Sequence, residues 1–225
     1  PHGLIRYQNP EIGRDKDTGG QVKYVLELMD ALSAHPDVRK VDLFTRRVAD
    51  KRVSSSYNEE IEFVNEKARI VRMTCGGGLY RAKEQLWEHM DEFVDKTIRF
   101  LEMEDDLPDV AHGHYADGGY LAKEMSRYFG SVLLSTGHSL GYNKQHILLE
   151  QGMSAERINE KFNMERRIAE EESMLEAADL TIASTQHEIS AQYKWYSNRF
   201  KARFEIIPPG VNEALFYPFY RLDMP

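Results

Sequence analysis

The chain has a single cysteine, Cys75, among 225 residues. No disulfide can form within it, and a reducing, cytoplasmic setting is expected. No apolar run approaches the ~20 residues of a membrane span, and no signal peptide is expected. Basic residues are outnumbered: 29 Lys and Arg stand against 37 Asp and Glu, a formal net charge of −8. That balance argues against nucleic acid and anionic membrane as main partners, because both recruit basic surfaces. A small anion held in a local basic pocket stays open. Three signatures are also missing. No Gly-x-Gly-x-x-Gly follows a strand, no Gly-x-x-x-x-Gly-Lys-Ser/Thr occurs, and there is no Gly-x-Ser-x-Gly elbow. A nicotinamide dehydrogenase, a P-loop enzyme and a nucleophile-elbow hydrolase each lose their main support. Apolar material is not lacking: hydrophobic residues make up 41% and aromatics 11%, enough for a sizeable core in one large domain or two small ones. The chain opens at Pro1 without Met and stops soon after a Pro-rich segment, so it reads as a piece of a longer protein.

One stretch organises the rest, the polar loop from Gly13 to Gly20 that runs straight into an amphipathic segment. Val22, Val25, Met29 and Leu32 recur at helical spacing, and Leu28 widens the stripe. Asp17 or Thr18 can cap that helix. Gly19 and Gly20, lacking a Cβ, let a ligand approach the first helical turn, whose free N–H groups attract phosphate or a developing oxyanion. A plain tight loop before a surface helix is the competing reading.

Strand and helix patterns then alternate. Leu4-Ile5 reads as the tail of a strand, 21–35 as helix, 38–45 as strand, and 46–60 as a charged, Ser-rich surface loop. Residues 68–74 read as strand and 83–104 as helix, with Leu86, Met90, Phe93, Val94 and Leu101 on one face. Strands follow at 108–112 and 131–136, separated by a helix over 117–129. A long acid-rich helix over 154–178, a strand over 180–183, a helix over 186–196 and a strand over 204–207 complete the pattern. Such alternation implies βαβ units with right-handed crossovers: an α/β fold with a Rossmann-like parallel sheet and helices on both faces. Ligands of such sheets bind beyond the carboxyl ends of the strands. The unusual residues fall there: Arg6, Gly76 to Tyr80, His112 to Asp117, and Thr136 to Lys144.

His112-Gly113-His114 with Asp117 invites a metal reading, but apart from His138 no further ligand set is evident, and no metal is expected. Strand-end histidines satisfied by backbone, or a sugar-binding segment, are the other readings. Asp117 at a helix start can cap the helix or accept hydrogen bonds from sugar hydroxyls. His138, between small residues at a strand end, can bond a hydroxyl or stabilise developing charge. Lys144 with Arg166 and Arg167 suits a phosphate monoester, unless the two arginines pair with Glu170 and Glu171 four residues on. Lys83 at a helix start runs against the dipole and hints at an anion nearby.

Several segments occur together and in order: Pro1-to-Arg6, Gly13-to-Tyr24, Lys83-Glu84-x-Leu86-Trp87, Gly113-His114-Tyr115-Ala116-Asp117-Gly118, Thr136-to-Gly141, Arg166-Arg167-Ile168-x-x-Glu171 and Ile207-to-Val211. The set resembles the sucrose-phosphate synthases, retaining glycosyltransferases of the GT-B fold, over nearly the whole chain. The resemblance implies the N-terminal, acceptor-binding Rossmann-like domain over 1–210. The start of an interdomain linker follows over 211–225, and the donor-binding domain is absent. It implies a donor such as UDP-glucose, an acceptor such as fructose 6-phosphate, and sucrose 6-phosphate as product, with no cofactor required by this chain. It implies Gly19 and Gly20 against the donor phosphates and Gln21 near the acceptor. Lys83, Tyr115, Ser139, Lys144 and Arg166 or Arg167 would form the sugar-phosphate pocket. Asp117 would contact the acceptor hydroxyl, and His138 the transferred hexose. Residues 118–119 and 142–143 are variable ground in the family and leave the sugar open. A non-catalytic sugar-phosphate-binding module, a mannosylfructose-phosphate synthase and a sucrose synthase stay as alternatives.

Overall fold

The computed structural model describes residues 2–16 and 18–211. Asp17, one of the two expected helix caps, and most of the expected linker therefore lie outside the described residues. Helix α1 spans Gly20–Ala34 and buries Val22, Val25, Leu26 and Met29, while Leu32 is exposed. Leu26 thus takes the place on the buried stripe that was expected of Leu32. Gly19 stands at the N-cap position and supplies no side-chain cap. Thr18 is drawn inward instead, its hydroxyl accepting from the Leu4 amide at 3.1 Å.

Strands β1 (Val41–Arg46) and β3 (Ala68–Met73) pair in parallel. Strand β2 (Ile61–Phe63) pairs antiparallel with β3. This hairpin strand was not expected, because three residues are too few to show a period. Its turn is set by Asn65, whose side chain accepts from the Lys67 and Ala68 amides, each at 2.9 Å. A second sheet contains β4 (Val110–His114), β5 (Val132–Thr136), β6 (Leu180–Ala183) and β7 (Phe204–Ile206), all parallel and in that order. No strand joins the two sheets among the described residues. Leu4 and Ile5 belong to neither sheet: they are buried coil, with Ile5 packed against α1, Leu43 and Ile70. The expected strand tail is therefore corrected to a buried approach to the loop.

The sheets share one core. Helix α2 (Met90–Glu104) and α3 (Tyr115–Phe129) supply Phe93, Phe100, Leu121 and Met125, which pack with Val71 and Met73 from the first sheet and Ala111 and Leu133 from the second. All five residues expected on one face of the 83–104 helix are buried, but its first turns are short 3-10 segments before α2 begins at Met90. The 46–60 segment is more than surface loop, since Val48, Asp50 and Tyr57 are buried.

Three helical expectations change in the second half. Helix α4 (Gly141–Glu150) was missed, because Gly141 is its one buried residue and it shows no apolar face. The expected long helix is two, α5 (Ala155–Phe162) and α6 (Met164–Ala177), broken at Asn163 in the left-handed region with φ +48°. Asn tolerates that conformation better than most residues. The expected 186–196 helix is a run of π and 3-10 turns. Among the described residues, no helix is long and apolar enough to cross a membrane.

Candidate functional site

The site grows from the carboxyl ends of β4 and β5. In β4, alternate residues share a face, so His112 and His114 lie together with ring centroids 4.0 Å apart. Gly113 faces the other way, onto α3. A Cβ there would meet the Gly119 Cα at 2.7 Å, so this glycine is what allows β4 and α3 to touch backbone to backbone. The cross-strand neighbour of His114 is Thr136, whose hydroxyl lies 2.9 Å from His112 Nε2. Beyond β5, His138 takes φ +56°, a conformation L residues seldom adopt, and its Nε2 lies 3.0 Å from His114 Nδ1. Tyr24 of α1 closes the group, its ring edge-on to both His138 and His114. Burial pushes His112 and His138 down to about 4 and His114 well below its usual value, so all three are neutral at physiological pH. Among the described residues, no His, Cys, Asp and Glu group of three or more has the arrangement to hold a metal ion.

Next to the histidines, Tyr115 turns the chain from β4 into α3 with φ +67°. Its ring carries a cation at each of two contacts, Lys83 Nζ at 4.5 Å and Arg167 Cζ at 4.4 Å from the centroid. Lys144 Nζ lies 3.7 Å from the Phe162 ring centroid. These residues line one small pocket with Glu84, Trp87 and Asp117. Burial, then Arg167 and Lys83, push the Lys144 ammonium down to about 8. Three cations therefore crowd one cavity against two carboxylates, of which Glu84 already pairs with Lys16 at 2.9 Å. Asp117, in the first turn of α3, is buried and accepts from the Gly118 amide at 2.9 Å. His114, not Asp117, stands at the N-cap position, so the capping role considered for Asp117 is set aside.

Arg167 is held by a network that spacing alone could not reveal. Helix α6 buries Met164, Arg167, Ile168, Glu171, Met174 and Leu175, so two charged residues occupy its core-facing stripe. Glu171 accepts from Arg167 Nε at 3.0 Å, from the Gly141 amide at 2.9 Å and from the Tyr196 hydroxyl. Arg167 Nη2 in turn donates to the Ser139 carbonyl. A Cβ on Gly141 would meet Glu171 Oε2 at 2.7 Å, so only glycine lets the carboxylate reach this helix end. The pairing of Arg167 with Glu171 four residues on is real, but it is buried rather than on a solvated face. Arg166 is exposed, over the Trp87 ring at 5.3 Å, and Glu170 pairs with Lys123 instead.

Of the expected residues, Lys83, Tyr115, Asp117, Lys144 and Arg167 meet at the pocket. Ser139 is exposed and joins through its carbonyl bond to Arg167. Arg166 touches the pocket wall through Trp87 only. Gly19 stands at the N-cap of α1 and Gly20 begins it, with open space around both, and the buried Gln21 Nε2 has no hydrogen-bond partner among the described residues. Phe162 was not expected. It sits at the end of α5, next to the Asn163 break, and Asn163 Nδ2 donates to the Glu84 carbonyl at 2.6 Å. Glu84, Trp87 and Tyr24 were visible within recognised segments but carried no assigned role.

Comparison with known proteins identifies the family. Residues 1–224 match the family described as "Sucrose synthase first GT-B domain". The chain is 40% identical to the probable sucrose-phosphate synthase 1 of Oryza sativa subsp. indica and to the sucrose-phosphate synthase of Zea mays, in each case over 94% of this chain and 24% of the relative. It thus spans about a quarter of the length of those relatives. The solved structure of sucrose-phosphate synthase from Thermosynechococcus elongatus superposes with a TM-score of 0.74 at 27% identity, covering 93% of this chain and 48% of that one. The chain belongs to the family of first GT-B domains named for sucrose synthase, with sucrose-phosphate synthases as its relatives.

Proposed function

We propose that this chain is the acceptor-binding half of a retaining hexosyltransferase that joins the hexose of a nucleotide sugar such as UDP-glucose to fructose 6-phosphate, giving sucrose 6-phosphate. The observation that carries the reading is the meeting of Lys83, Lys144 and Arg167 around one pocket beside Asp117. Like charges held together repel; Arg167 is already balanced by Glu171, and a dianionic phosphate is the ligand class that would neutralise the half-buried Lys144 ammonium beside it. Asp117 accepts from the acceptor hydroxyl at the mouth of that pocket. The orphan amide of Gln21 supports a sugar nearby, since a buried donor without a partner costs about 1–3 kcal/mol until something accepts from it. The uncapped first turn of α1, opening at Gly19 and Gly20, offers its N–H groups to the donor phosphates. His138 faces the transferred hexose. The domain orients substrates and stabilises charge, and the remaining donor contacts come from a second domain.

The test is calorimetry and a transfer assay on the purified chain. Fructose 6-phosphate binds and fructose binds far more weakly, with no transfer when UDP-glucose is added. Product at an enzyme-like rate removes the two-domain reading. Equal binding of fructose and fructose 6-phosphate removes the phosphate pocket.

A further inference from the structure

The histidine pair His114–His138 has a consequence for how His138 acts. His138 Nε2 is engaged by His114 Nδ1 at 3.0 Å, so Nδ1 is the ring nitrogen left to meet a ligand. Both rings are neutral, as their burial requires. Between two neutral imidazoles, one nitrogen must donate and the other accept. The two choices are exclusive. If His138 donates from Nε2, its Nδ1 is bare and can only accept. If His114 donates from Nδ1, His138 carries its proton on Nδ1 and can donate into the cleft.

We propose that His114 is a positioning residue that donates from Nδ1 to His138 Nε2 and so fixes His138 as the Nδ1–H tautomer, a hydrogen-bond donor to a sugar oxygen. The inference rests on the reading above, in which His138 meets the transferred hexose. An oxygen that gains negative charge during transfer needs a donor rather than a lone pair. The surroundings restrain the pair well. His114 lies in a strand, its ring tilted against that of His112 at 4.0 Å between centroids, and His112 is held in turn at Thr136 Oγ1. Tyr24 packs edge-on at 4.9 Å from the His138 ring centroid and 5.9 Å from that of His114. His138 has a left-handed backbone that aims it back at the strand ends. Second partners that set an imidazole tautomer are a general feature of histidines placed for function.

The test is nitrogen NMR on the protein with 15N-labelled histidine at neutral pH. The expected spectrum shows His138 protonated on Nδ1 and bare on Nε2. It also shows scalar coupling across the hydrogen bond between His114 Nδ1 and His138 Nε2. His114→Asn places an amide N–H close to where Nδ1 stood, and should keep the His138 tautomer. His114→Leu should release it to the Nε2–H form or to a mixture. A His138 that carries its proton on Nε2 in the unaltered protein overturns the proposal, as does a tautomer unchanged in His114→Leu. If His114→Leu fails to fold, the unaltered protein and the Asn variant decide alone. Fructose 6-phosphate affinity, measured on the same samples, reports separately on the phosphate pocket, so failure of one reading does not imply failure of the other.

Discussion

The arginines of the first sheet and Lys144 at the pocket are placed in opposite ways. In the first sheet the arginines are consumed by the protein. Arg72, whose side chain is 0% exposed, donates to the Ile5 carbonyl at 2.9 Å and to the Glu59 carbonyl, and pairs with Glu62. Arg46 spends Nε and Nη2 on the carbonyls of Cys75, Gly77 and Leu79 at 2.7–2.8 Å, pinning the glycine loop after β3. Arg69 lies between Asp42 and Glu104. At the second sheet, Lys144 rests on the Phe162 ring and forms no ion pair among the described residues. An aromatic face attracts a cation without satisfying its hydrogen-bond donors. The first arrangement locks backbone; in the function proposed above, the Lys144 charge is what a ligand phosphate would meet.

The largest effect that distinguishes these two uses is on stability. Arg72→Met leaves Glu62 and the Ile5 carbonyl without their partner, and unpairing a buried ion pair costs about 3–5 kcal/mol. Urea unfolding should show that loss, with part of it recovered when Glu62→Leu is added. A loss below about 1 kcal/mol would mean that the first-sheet arginines are not structural in the sense proposed.

Lys144→Met should do the reverse. Relieving a crowded, half-buried ammonium should leave the melting temperature of the free protein unchanged or higher. Losing a charge-assisted contact costs about 1.5–3 kcal/mol, so affinity for fructose 6-phosphate should fall at least roughly tenfold while fructose is unaffected. An equal loss for both sugars would make Lys144 a scaffold residue like Arg72.

The smallest effect sharpens the difference through pH. The Lys144 value is lowered to about 8, so its charge is complete below that pH and is lost as pH rises through it. Phosphate affinity should therefore decline above pH ~8, with proton uptake on binding detected by calorimetry in buffers of different ionisation enthalpy. Lys144→Arg should abolish the decline, because guanidinium stays charged. A pH-independent affinity in the unaltered protein would remove Lys144 from the phosphate contact.

By itself, the sequence determined the α/β alternation, the buried faces of α1 and α2 apart from the exchange of Leu26 for Leu32, and the rim on which polar residues gather. Periodicity is local, and a helix or strand with one buried face announces it in neighbouring residues. Tyr115, Asp117 and Lys144 were legible as rim residues and Lys83 as an odd helix-start cation, while their grouping in one pocket was implied by the family resemblance. Only tertiary structure decided which arginine faces inward. Arg166 and Arg167 are adjacent and alike, and their roles part because α6 turns Arg167 toward Glu171, Gly141 and Ser139, residues about 4 to 28 positions away. It also decided the break at Asn163, which the helical pattern of 154–178 conceals and which sets Phe162 beside Lys144. The contact of His114 with His138 spans 24 positions in sequence and depends on parallel strand register and on one left-handed residue. Register and backbone strain are fixed by what packs on the far side of the sheet, which no local pattern records.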